Sequence, residues 1–196
     1  MNKAFLIASD KIGKKLLSLM PIDFYENVII DKSVDIKKIW RLILKRRIPI
    51  NAFAQIFKAE LFRENPHIDV SQKKFITNNK ELLQILKSKN IKKLYLFRAG
   101  LVISKEILDQ GIDIMNVHCA DIPEYGGLGA IYRAIKNKRY IQHAVLYKIT
   151  ERIDDGEIIS KKNYILNPDL SYLENENIAY NAGIELFLKE INKNFL

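Results

Sequence analysis

The sequence predicts an α/β fold, a mostly parallel twisted sheet with helices on both faces. Apolar runs typical of strands alternate with amphipathic segments typical of helices from the first residues to about residue 138. The 196 residues are 48% apolar and include only 8 Gly and 5 Pro, so the chain can bury a core over most of its length. We therefore expect one domain over residues 1–196, without a C-terminal appendage.

The first half of the chain contains the clearest strand. Residues 3–8 are a continuous apolar run, and Ser9-Asp10 then offers a helix N-cap. Periodic apolar positions predict an amphipathic helix over residues 35–45, which ends in the basic run Lys45-Arg46-Arg47 and is stopped by Pro49. The other elements predicted in this half are helices at 11–19, 51–62 and 78–89 and strands at 27–30 and 73–77.

The second half continues the alternation and then adds two strands in succession. Strands are predicted at 93–97, 112–117, 141–150 and 157–166, and helices at 104–110, 129–138 and 171–194. Gly111 is placed to end the helix at 104–110, because glycine readily adopts the left-handed conformation that closes a helix.

The net charge of +9 favours anionic partners without choosing among nucleic acid, an anionic membrane, phosphorylated metabolites and a polycarboxylate cofactor. The lysines are spread through every segment, which also fits simple compositional drift. A nucleic-acid binder would concentrate basic residues on one face together with aromatic residues. The basic run at 45–47 either steers an anionic ligand or is a solvated helix end.

Cysteine content and hydropathy exclude several classes of protein. The one cysteine, Cys119, allows neither an internal disulfide nor a zinc site made of cysteines. The apolar run at the N-terminus is followed at once by Asp10 and Lys11, which is unlike a signal peptide, and no segment reaches the ~18 apolar residues of a membrane span. We expect a cytoplasmic protein.

Residues 114–157 contain the residue types that a reaction centre needs. Asn116 and His118 lie two apart at the end of a predicted strand, so both side chains share the face and the edge of the sheet where α/β proteins bind ligands. A glycine-rich loop follows, and Asp154-Asp155-Gly156 later forms an acidic turn. We expect the Asp154 carboxylate near the His118 imidazole, where the pair could transfer a proton with the Asn116 amide as an oxyanion donor. Each feature alone is common in structural roles, and it is their order and spacing that indicate catalysis.

The order of these motifs resembles the signature of the formyltransferase superfamily. The chain reads N-V-H-C-A-D-I-P-E-Y-G-G from Asn116, then R-A-I-K-N-K and I-D-D-G-E-I-I, with Asp154 about 36 residues after His118. The superfamily pattern is Asn-x-His-x-x-x-x-Pro-x-Tyr-x-Gly followed by Asp-x-Gly. The resemblance implies a Rossmann-like formyltransferase fold, 10-formyltetrahydrofolate as formyl donor, direct attack of an amine on the formyl carbon, and no metal.

The resemblance also implies residue roles. Asn116 and His118 would hydrogen-bond the formyl oxygen, and Asp154 would hold the imidazole or a water and help to take the amine proton. The residues in segments that resemble the folate-binding pieces are Arg98, Gly100, Leu101, Val102, Glu151, Arg152, Ile153, Asp155 and Gly156. The expected substrate contacts are Ser9, Asp10, Tyr125 and Gly127. Ile122-Pro123 matches a family Leu-Pro bond that is expected to be cis.

Departures from the pattern bear mainly on the acceptor. Cys119-Ala120 replaces small family residues and is interpreted as packing, Gly126 replaces a common Arg, and Tyr147 stands where the family strand Gly-Val-Thr-x-His ends in His. The Gly-Ser-rich phosphate loop of glycinamide ribonucleotide formyltransferase is absent after the first strand, and the tRNA enzyme carries a further C-terminal barrel.

The layout is most similar to that of nucleotide-sugar N-formyltransferases. It implies a nucleotide-linked amino sugar as acceptor and no nucleic-acid or membrane partner, and it leaves a homodimer open. The alternatives are an enzyme like the glycinamide ribonucleotide or methionyl-tRNA formyltransferases, and a non-catalytic basic binding module on the same fold.

Overall fold

The computed structural model describes residues 2–34 and 50–193 of the chain. Its strands are β1 (Lys3–Ala8), β2 (Val28–Asp31), β3 (Lys74–Ile76), β4 (Lys93–Phe97), β5 (Asp113–His118), β6 (Ile141–Lys148) and β7 (Ile158–Ile165). Its helices are α1 (Lys11–Leu19), α2 (Ile50–Phe62), α3 (Asn79–Ser88), α4 (Lys105–Leu108), α5 (Ala130–Lys136) and α6 (Tyr172–Asn192), with a 3-10 helix at Ile22–Asn27 that the sequence pattern does not predict. The helix predicted at 35–45, its basic run at 45–47 and Pro49 lie outside the described residues. The other predicted elements are present within a few residues of their expected ends.

The described residues form one sheet of seven strands in the order β3-β2-β1-β4-β5-β6-β7. Neighbours from β3 to β5 pair in parallel, whereas β5 with β6 and β6 with β7 pair antiparallel. The expectation of a mostly parallel sheet is therefore confirmed. All residues of β1 are buried, as suits a continuous apolar run in a strand that is covered on both faces.

Side chains alternate between two core layers along the central strands. Phe5 of β1 packs on one face with α1 and α6, while Leu6 packs on the other face with α3 and α4. Helices on both faces are thus confirmed around the central strands. The second face is open at β6 and β7, where Ile141 and Ile165 are register partners and both are mostly exposed.

Local side chains determine where helices begin. Asp10 caps α1 by accepting from Gly13 N at 2.7 Å, and Asn78 caps α3 by accepting from the backbone N–H of Glu81 at 3.0 Å. The Asp10 cap agrees with the sequence prediction. Among residues 2–34 and 50–193, no helix combines the length and the apolar character needed to cross a membrane.

Helix α2 is fixed against α6 by a buried ion pair. Arg63, directly after α2, binds Glu176 of α6 with 2.5 Å between Nη2 and Oε2, and both side chains are buried. Tyr172 donates to the other oxygen of Glu176 at 2.9 Å. Because removing one partner would leave an unpaired buried charge, the pair holds the two helices in one arrangement.

Candidate active site

Asn116 of β5 lies opposite Tyr147 of β6. The two residues are register partners in the antiparallel pair, and Asn116 Nδ2 donates to Tyr147 Oη at 3.0 Å. The pairing of β6 with β7 has an irregularity between Leu146 and Tyr147, and such bulges redirect side chains and are frequent beside active sites. The sequence predicts only an altered pocket wall at Tyr147, so this contact is new information from the structure.

Asp154 lies on the loop between β6 and β7, and its carboxylate is bound from two sides. Oδ1 accepts from the Tyr147 hydroxyl at 2.5 Å, and Oδ2 accepts from the Gly127 backbone N–H at 2.6 Å. The side chain is buried, and the backbone has a φ of 51°, a left-handed conformation that Asp tolerates better than most residues. Gly126 permits this approach, since a Cβ there would lie 2.9 Å from Cβ of Asp154. Tyr147 therefore joins Asp154 to Asn116.

His118 shares a face of β5 with Asn116 but does not have the partner that the sequence predicts. Its Nε2 lies 2.8 Å from the backbone oxygen of Tyr125. A carbonyl oxygen only accepts, so Nε2 carries a hydrogen and donates it to Tyr125, which leaves Nδ1 as the ring atom that could accept a proton. Within the described part of the chain, no hydrogen bond or ion pair joins His118 to Asp154, whose two carboxylate oxygens accept from Tyr147 and Gly127. The expected direct carboxylate–imidazole contact is therefore not formed in this structure, and the expected hydrogen bond from His118 to the formyl oxygen stays a prediction.

The glycine-rich loop contributes backbone groups to the site. The Ile122–Pro123 peptide bond that precedes it is cis, in agreement with the prediction. Tyr125 is buried in the main core cluster and its carbonyl accepts from His118, so its expected contact with substrate stays a prediction. Gly127 has a φ of 75°, a conformation that favours glycine, and its N–H binds Asp154.

The first predicted folate segment, residues 98–102, is anchored by Asp31. This buried carboxylate ends β2, and its Oδ2 accepts from the N–H groups of Gly100 at 2.6 Å and Leu101 at 2.9 Å. These two N–H groups are therefore not free for a folate, contrary to expectation. Val102 is 64% exposed, and no hydrogen bond among the described residues uses its N–H. Sequence reasoning missed Asp31, although a carboxylate directly after an apolar strand, at the ligand-binding edge, is a usable signal.

Arg98 points toward α1 and α6 and away from the rest of this segment. Its Nη2 lies 2.6 Å from Oδ2 of Asp10, and its guanidinium carbon lies 4.3 Å from the ring centroid of Tyr180. The Arg98 side chain is therefore engaged away from the rest of the segment, and the expected backbone contact of Arg98 with a folate stays a prediction. The ion pair also gives Asp10 a structural role at the ends of β1 and β4.

An ion pair brings the two predicted folate segments to the same side of the molecule. Glu151 of the β6–β7 loop binds Lys105 of α4 with 2.5 Å between Oε1 and Nζ. Lys105 follows Val102 closely in the chain, so the pair ties the second segment to the first. Both partners are exposed, and exposed pairs contribute little to stability, so we interpret this contact as positional.

The remaining residues of the second folate segment lie around Asp154. Arg152 and Asp155 are exposed, and Ile153 is 68% exposed. No backbone hydrogen bond within the described ranges uses Ile153. Gly156 packs so closely on the Lys148 carbonyl that a Cβ would overlap it. Ile153, like Val102, therefore combines an exposed apolar side chain with a backbone N–H that binds no group among the described residues, although the Val102 carbonyl accepts from Asn79 Nδ2 at 2.9 Å.

The start of α1 is already occupied by two carboxylates. Gly13 N donates to Asp10 Oδ1 at 2.7 Å, and Lys11 N donates to Glu60 Oε1 at 3.2 Å. Helix N-termini bind anions through such N–H groups, so these side chains take the positions of phosphate oxygens. Asp10 is thus a cap rather than a free substrate contact, whereas Ser9 is exposed at the end of β1.

Two buried side chains near the site have raised pKa values. Burial, together with the hydrogen bond to Asp154 and its charge, raises the pKa of Tyr147 well above that of an ordinary tyrosine. Burial raises the pKa of the Cys119 thiol to about 12. Both groups therefore stay protonated at neutral pH, Tyr147 as a hydrogen-bond donor and Cys119 as an unreactive thiol.

Two surface cavities lie away from these residues. One of about 360 Å³ lies beside Lys14 and residues 65–69, and one of about 170 Å³ lies between α2 and the start of α6. Neither is lined by the three predicted catalytic residues. In the described parts of the chain, no group of three or more His, Cys, Asp or Glu is arranged to hold a metal ion. The candidate site is therefore identified by the hydrogen bonds that join Asn116, Tyr147 and Asp154.

No protein-family model matches the chain. In sequence it is similar to the methionyl-tRNA formyltransferase of Sulfurihydrogenibium sp., with 26% identity over 137 residues that cover 69% of this chain and 43% of that protein. It is also similar to the methionyl-tRNA formyltransferase of Clostridium tetani, with 26% identity over 136 residues and the same two coverages, 69% and 43%. The chain thus spans less than half the length of these curated relatives.

Solved structures share the fold across the chain. The phosphoribosylglycinamide formyltransferase of Campylobacter jejuni superposes with a TM-score of 0.64 at 15% identity, covering 100% of this chain and 98% of that one. The N-formyltransferase of Helicobacter canadensis, in complex with folinic acid and dTDP-3-aminofucose, superposes with a TM-score of 0.64 at 19% identity, covering 98% and 64%. These likenesses confirm the predicted fold. Together with the sequence matches, they support the resemblance to the formyltransferase superfamily.

Proposed function

We propose that the chain transfers a formyl group from 10-formyltetrahydrofolate to the amine of a nucleotide-linked amino sugar. The observation that carries the proposal is the junction of Asn116 and Asp154 through Tyr147, near the carboxyl end of β5. A neutral donor, an ionised carboxylate and an imidazole with a free acceptor nitrogen are thereby gathered on one face of the sheet. These are the groups that an acyl transfer to an amine requires.

The proposed step forms one carbon–nitrogen bond and breaks another. The amine nitrogen bonds to the formyl carbon, the bond from that carbon to the folate nitrogen breaks, and the proton lost by the amine ends on the folate nitrogen. Asn116 donates its second N–H to the formyl oxygen as negative charge develops there. His118 accepts the amine proton at Nδ1, since Nε2 is held by the Tyr125 carbonyl.

The folate would lie against the two segments that the Lys105–Glu151 pair brings together. Val102 and Ile153 fit an apolar ring because each has an exposed aliphatic side chain. The free N–H of Val102 suits the polar edge of a pterin. Gly100 and Leu101 act through Asp31, which fixes the backbone on which Val102 sits.

The occupied start of α1 supports an amino sugar over a ribonucleotide acceptor. A ribonucleotide phosphate at this helix would need the N–H groups that already donate to Asp10 and Glu60. It would also approach two carboxylates of like charge. An acceptor whose phosphates lie elsewhere avoids both costs.

Methionyl-tRNA is the second candidate acceptor. Both curated relatives described above are methionyl-tRNA formyltransferases, and the net charge of +9 suits a nucleic acid. A non-catalytic binding module on the same fold is a third candidate. Such a module would bind an anionic ligand on a basic face of the protein, without turnover.

A formyl-transfer assay distinguishes these candidates. Purified protein is mixed with 10-formyltetrahydrofolate and, in separate reactions, nucleotide-linked amino sugars, glycinamide ribonucleotide and methionyl-tRNA, and release of tetrahydrofolate is followed by ultraviolet absorbance. We expect turnover with an amino sugar and a loss on the order of 10²–10³-fold in Asn116→Ala and Asp154→Ala. Asp169→Ala, which removes an exposed carboxylate of the β7–α6 loop, is the matched control and should retain the wild-type rate.

Three outcomes would contradict the proposal. Turnover with methionyl-tRNA and with no other amine would show that methionyl-tRNA, rather than an amino sugar, is the acceptor. Near wild-type rates in Asn116→Ala or Asp154→Ala would refute the reaction centre. Tight, salt-sensitive RNA binding without turnover of any amine would favour the binding module. A cytoplasmic location and a homodimer remain proposals, and light scattering tests the latter.

A further inference from the structure

Tyr147 lies between two residues of the proposed reaction centre and is assigned no role by the motif pattern. Its hydroxyl is 3.0 Å from Asn116 Nδ2 and 2.5 Å from Asp154 Oδ1. We propose that Tyr147 is a positioning residue through which the Asp154 carboxylate sets the orientation of the Asn116 amide. The inference rests on the proposed function, because it concerns how the same site presents a donor to the formyl oxygen.

The direction of the hydrogen bonds follows from what each group can do. An ionised carboxylate only accepts, so the Tyr147 hydroxyl donates its single hydrogen to Asp154. The Tyr147 oxygen is then left as an acceptor, and Asn116 must turn Nδ2 rather than Oδ1 toward it. One N–H of Asn116 is used in this contact and the second stays available. The charge on Asp154 thereby fixes which end of the amide faces the substrate.

The other contacts of Asp154 keep this direction constant. Its second oxygen accepts from Gly127 N at 2.6 Å, so the carboxylate cannot rotate freely away from Tyr147. Tyr147 is buried with Ile122 and Val145, which restricts its ring to one position. Chains of hydrogen bonds that are shielded from water polarise one another, which strengthens the remaining Asn116 N–H as a donor.

The identity of the side chain matters because the matching family strand ends in His at this position. A neutral imidazole also has one donor and one acceptor, so it can make the same two contacts. Its ordinary pKa is near 6.5, however, whereas the Tyr147 hydroxyl stays protonated over the whole neutral range. Among the described residues, the titratable group in contact with Tyr147 is Asp154, His118 lies two residues beyond Asn116 on β5, opposite Val145, and the packed neighbours Ile122 and Val145 are apolar.

The first test compares Tyr147→Phe with Tyr164→Phe. Tyr164 of β7 is a matched control, since its hydroxyl is also buried and hydrogen-bonded, donating to the Cys119 carbonyl at 2.6 Å, and its side chain packs in the core of the opposite face. We expect kcat to fall on the order of ten- to a hundredfold in Tyr147→Phe, with KM for the folate changed less than about threefold. Tyr164→Phe should keep kcat within about threefold. Equal losses in the two variants would overturn the proposal.

The second test is rescue. Tyr147→His should recover most of the kcat lost in Tyr147→Phe, because imidazole restores an acceptor for Asn116 and a donor for Asp154. Its pH–rate profile should fall more steeply toward acid pH than the wild-type profile, because the introduced imidazole adds one ionisation and its protonated form has no acceptor for Asn116. A Tyr147→His profile that is identical to wild type, or no recovery at all, would contradict the relay.

A readout that does not need turnover separates this inference from the proposed function. The side-chain amide signals of Asn116 are assigned by NMR through their loss in Asn116→Asp. We expect Asp154→Asn to shift these signals in the wild-type background and to shift them much less in Tyr147→Phe. Equal shifts in both backgrounds would overturn the inference even if the enzyme is active, and if Tyr147→Phe does not fold, an unshifted Asn116 signal in Asp154→Asn alone would overturn it.

Discussion

Asp154 combines an unfavourable backbone with favourable side-chain contacts. Its left-handed conformation costs about 1–2 kcal/mol for a residue with a Cβ. Each hydrogen bond to a charged carboxylate contributes about 1.5–3 kcal/mol, and Asp154 accepts from both Tyr147 and Gly127. The two hydrogen bonds together outweigh the free-energy cost of the left-handed conformation. The loop therefore holds the Asp154 carboxylate beside Tyr147 and Asn116 before any ligand binds.

Cys119 lies directly beside His118 in the chain but has the surroundings of a packing residue. Its side chain is buried on the opposite face, where a Cβ on Gly183 of α6 would overlap its sulfur. Burial raises the pKa of the thiol to about 12, so little thiolate forms at neutral pH. A nucleophilic cysteine would need the opposite environment, exposed and electropositive.

We therefore expect Cys119→Ser to retain formyl transfer within about threefold, with a modest loss of stability because a hydroxyl replaces a thiol in an apolar site. Alkylation of wild-type Cys119 by iodoacetamide should be slow in the native protein and fast in urea. Complete loss of turnover in a folded Cys119→Ser variant that still binds folate would mean that the thiol takes part in the reaction.

The segment between β4 and α4 owes its shape to a residue of β2. Asp31 accepts from Gly100 N and Leu101 N with one oxygen and from Ser33 N with the other. The backbone just before Val102 is thus hydrogen-bonded to the end of β2. A loop held in this way offers its exposed groups in one arrangement, which lowers the ordering cost when a ligand binds.

We expect Asp31→Ala to lower the free energy of unfolding by about 1–3 kcal/mol, because a buried N–H loses its acceptor. We also expect KM for the folate to rise on the order of tenfold, with a smaller change in kcat. Urea denaturation and steady-state kinetics measure the two effects.

Asp69→Ala is the control for this prediction. Asp69 makes the same two-residue turn contact, accepting from Ser71 N at 2.8 Å, but it lies on the surface. It should change neither stability nor KM appreciably. An unchanged KM in Asp31→Ala would contradict the role of Asp31 in shaping the folate segment.

Sheet topology brings together groups that are far apart in the chain. The ends of β1, β4 and β5 meet because these strands are adjacent and parallel, and β6 joins them from the opposite direction. The open second face at β6 and β7 leaves this side of the sheet accessible. The single-domain organisation over residues 1–196 stays a prediction, and one cooperative unfolding transition would support it.

The sequence predicts the parts of this arrangement that depend on local order. Asn116 and His118 share a face because strand side chains alternate with period two, and Asp10 caps α1 because a carboxylate precedes an amphipathic run. These features need no knowledge of distant residues. The alternation of strands and helices likewise predicts the sheet and its covered faces.

The parts that the sequence does not predict depend on register and on distant contacts. Tyr147 sits in an apolar strand, and only the antiparallel register and the irregularity beside it bring its hydroxyl to Asn116 and Asp154. Asp31 meets Leu101 across 70 positions of sequence. The side chain of Arg98 forms its ion pair with Asp10 across 88 positions of sequence, a contact that no local pattern indicates.

A crystal structure with 10-formyltetrahydrofolate and no acceptor examines the proposed reaction centre directly. We predict that the formyl oxygen lies about 3 Å from Asn116 Nδ2, while the Tyr147 contacts to Asn116 and Asp154 persist and the pterin packs beside Val102 and Ile153. A folate bound on another face, or a formyl group that points away from an intact Asn116–Tyr147–Asp154 chain, would contradict the account.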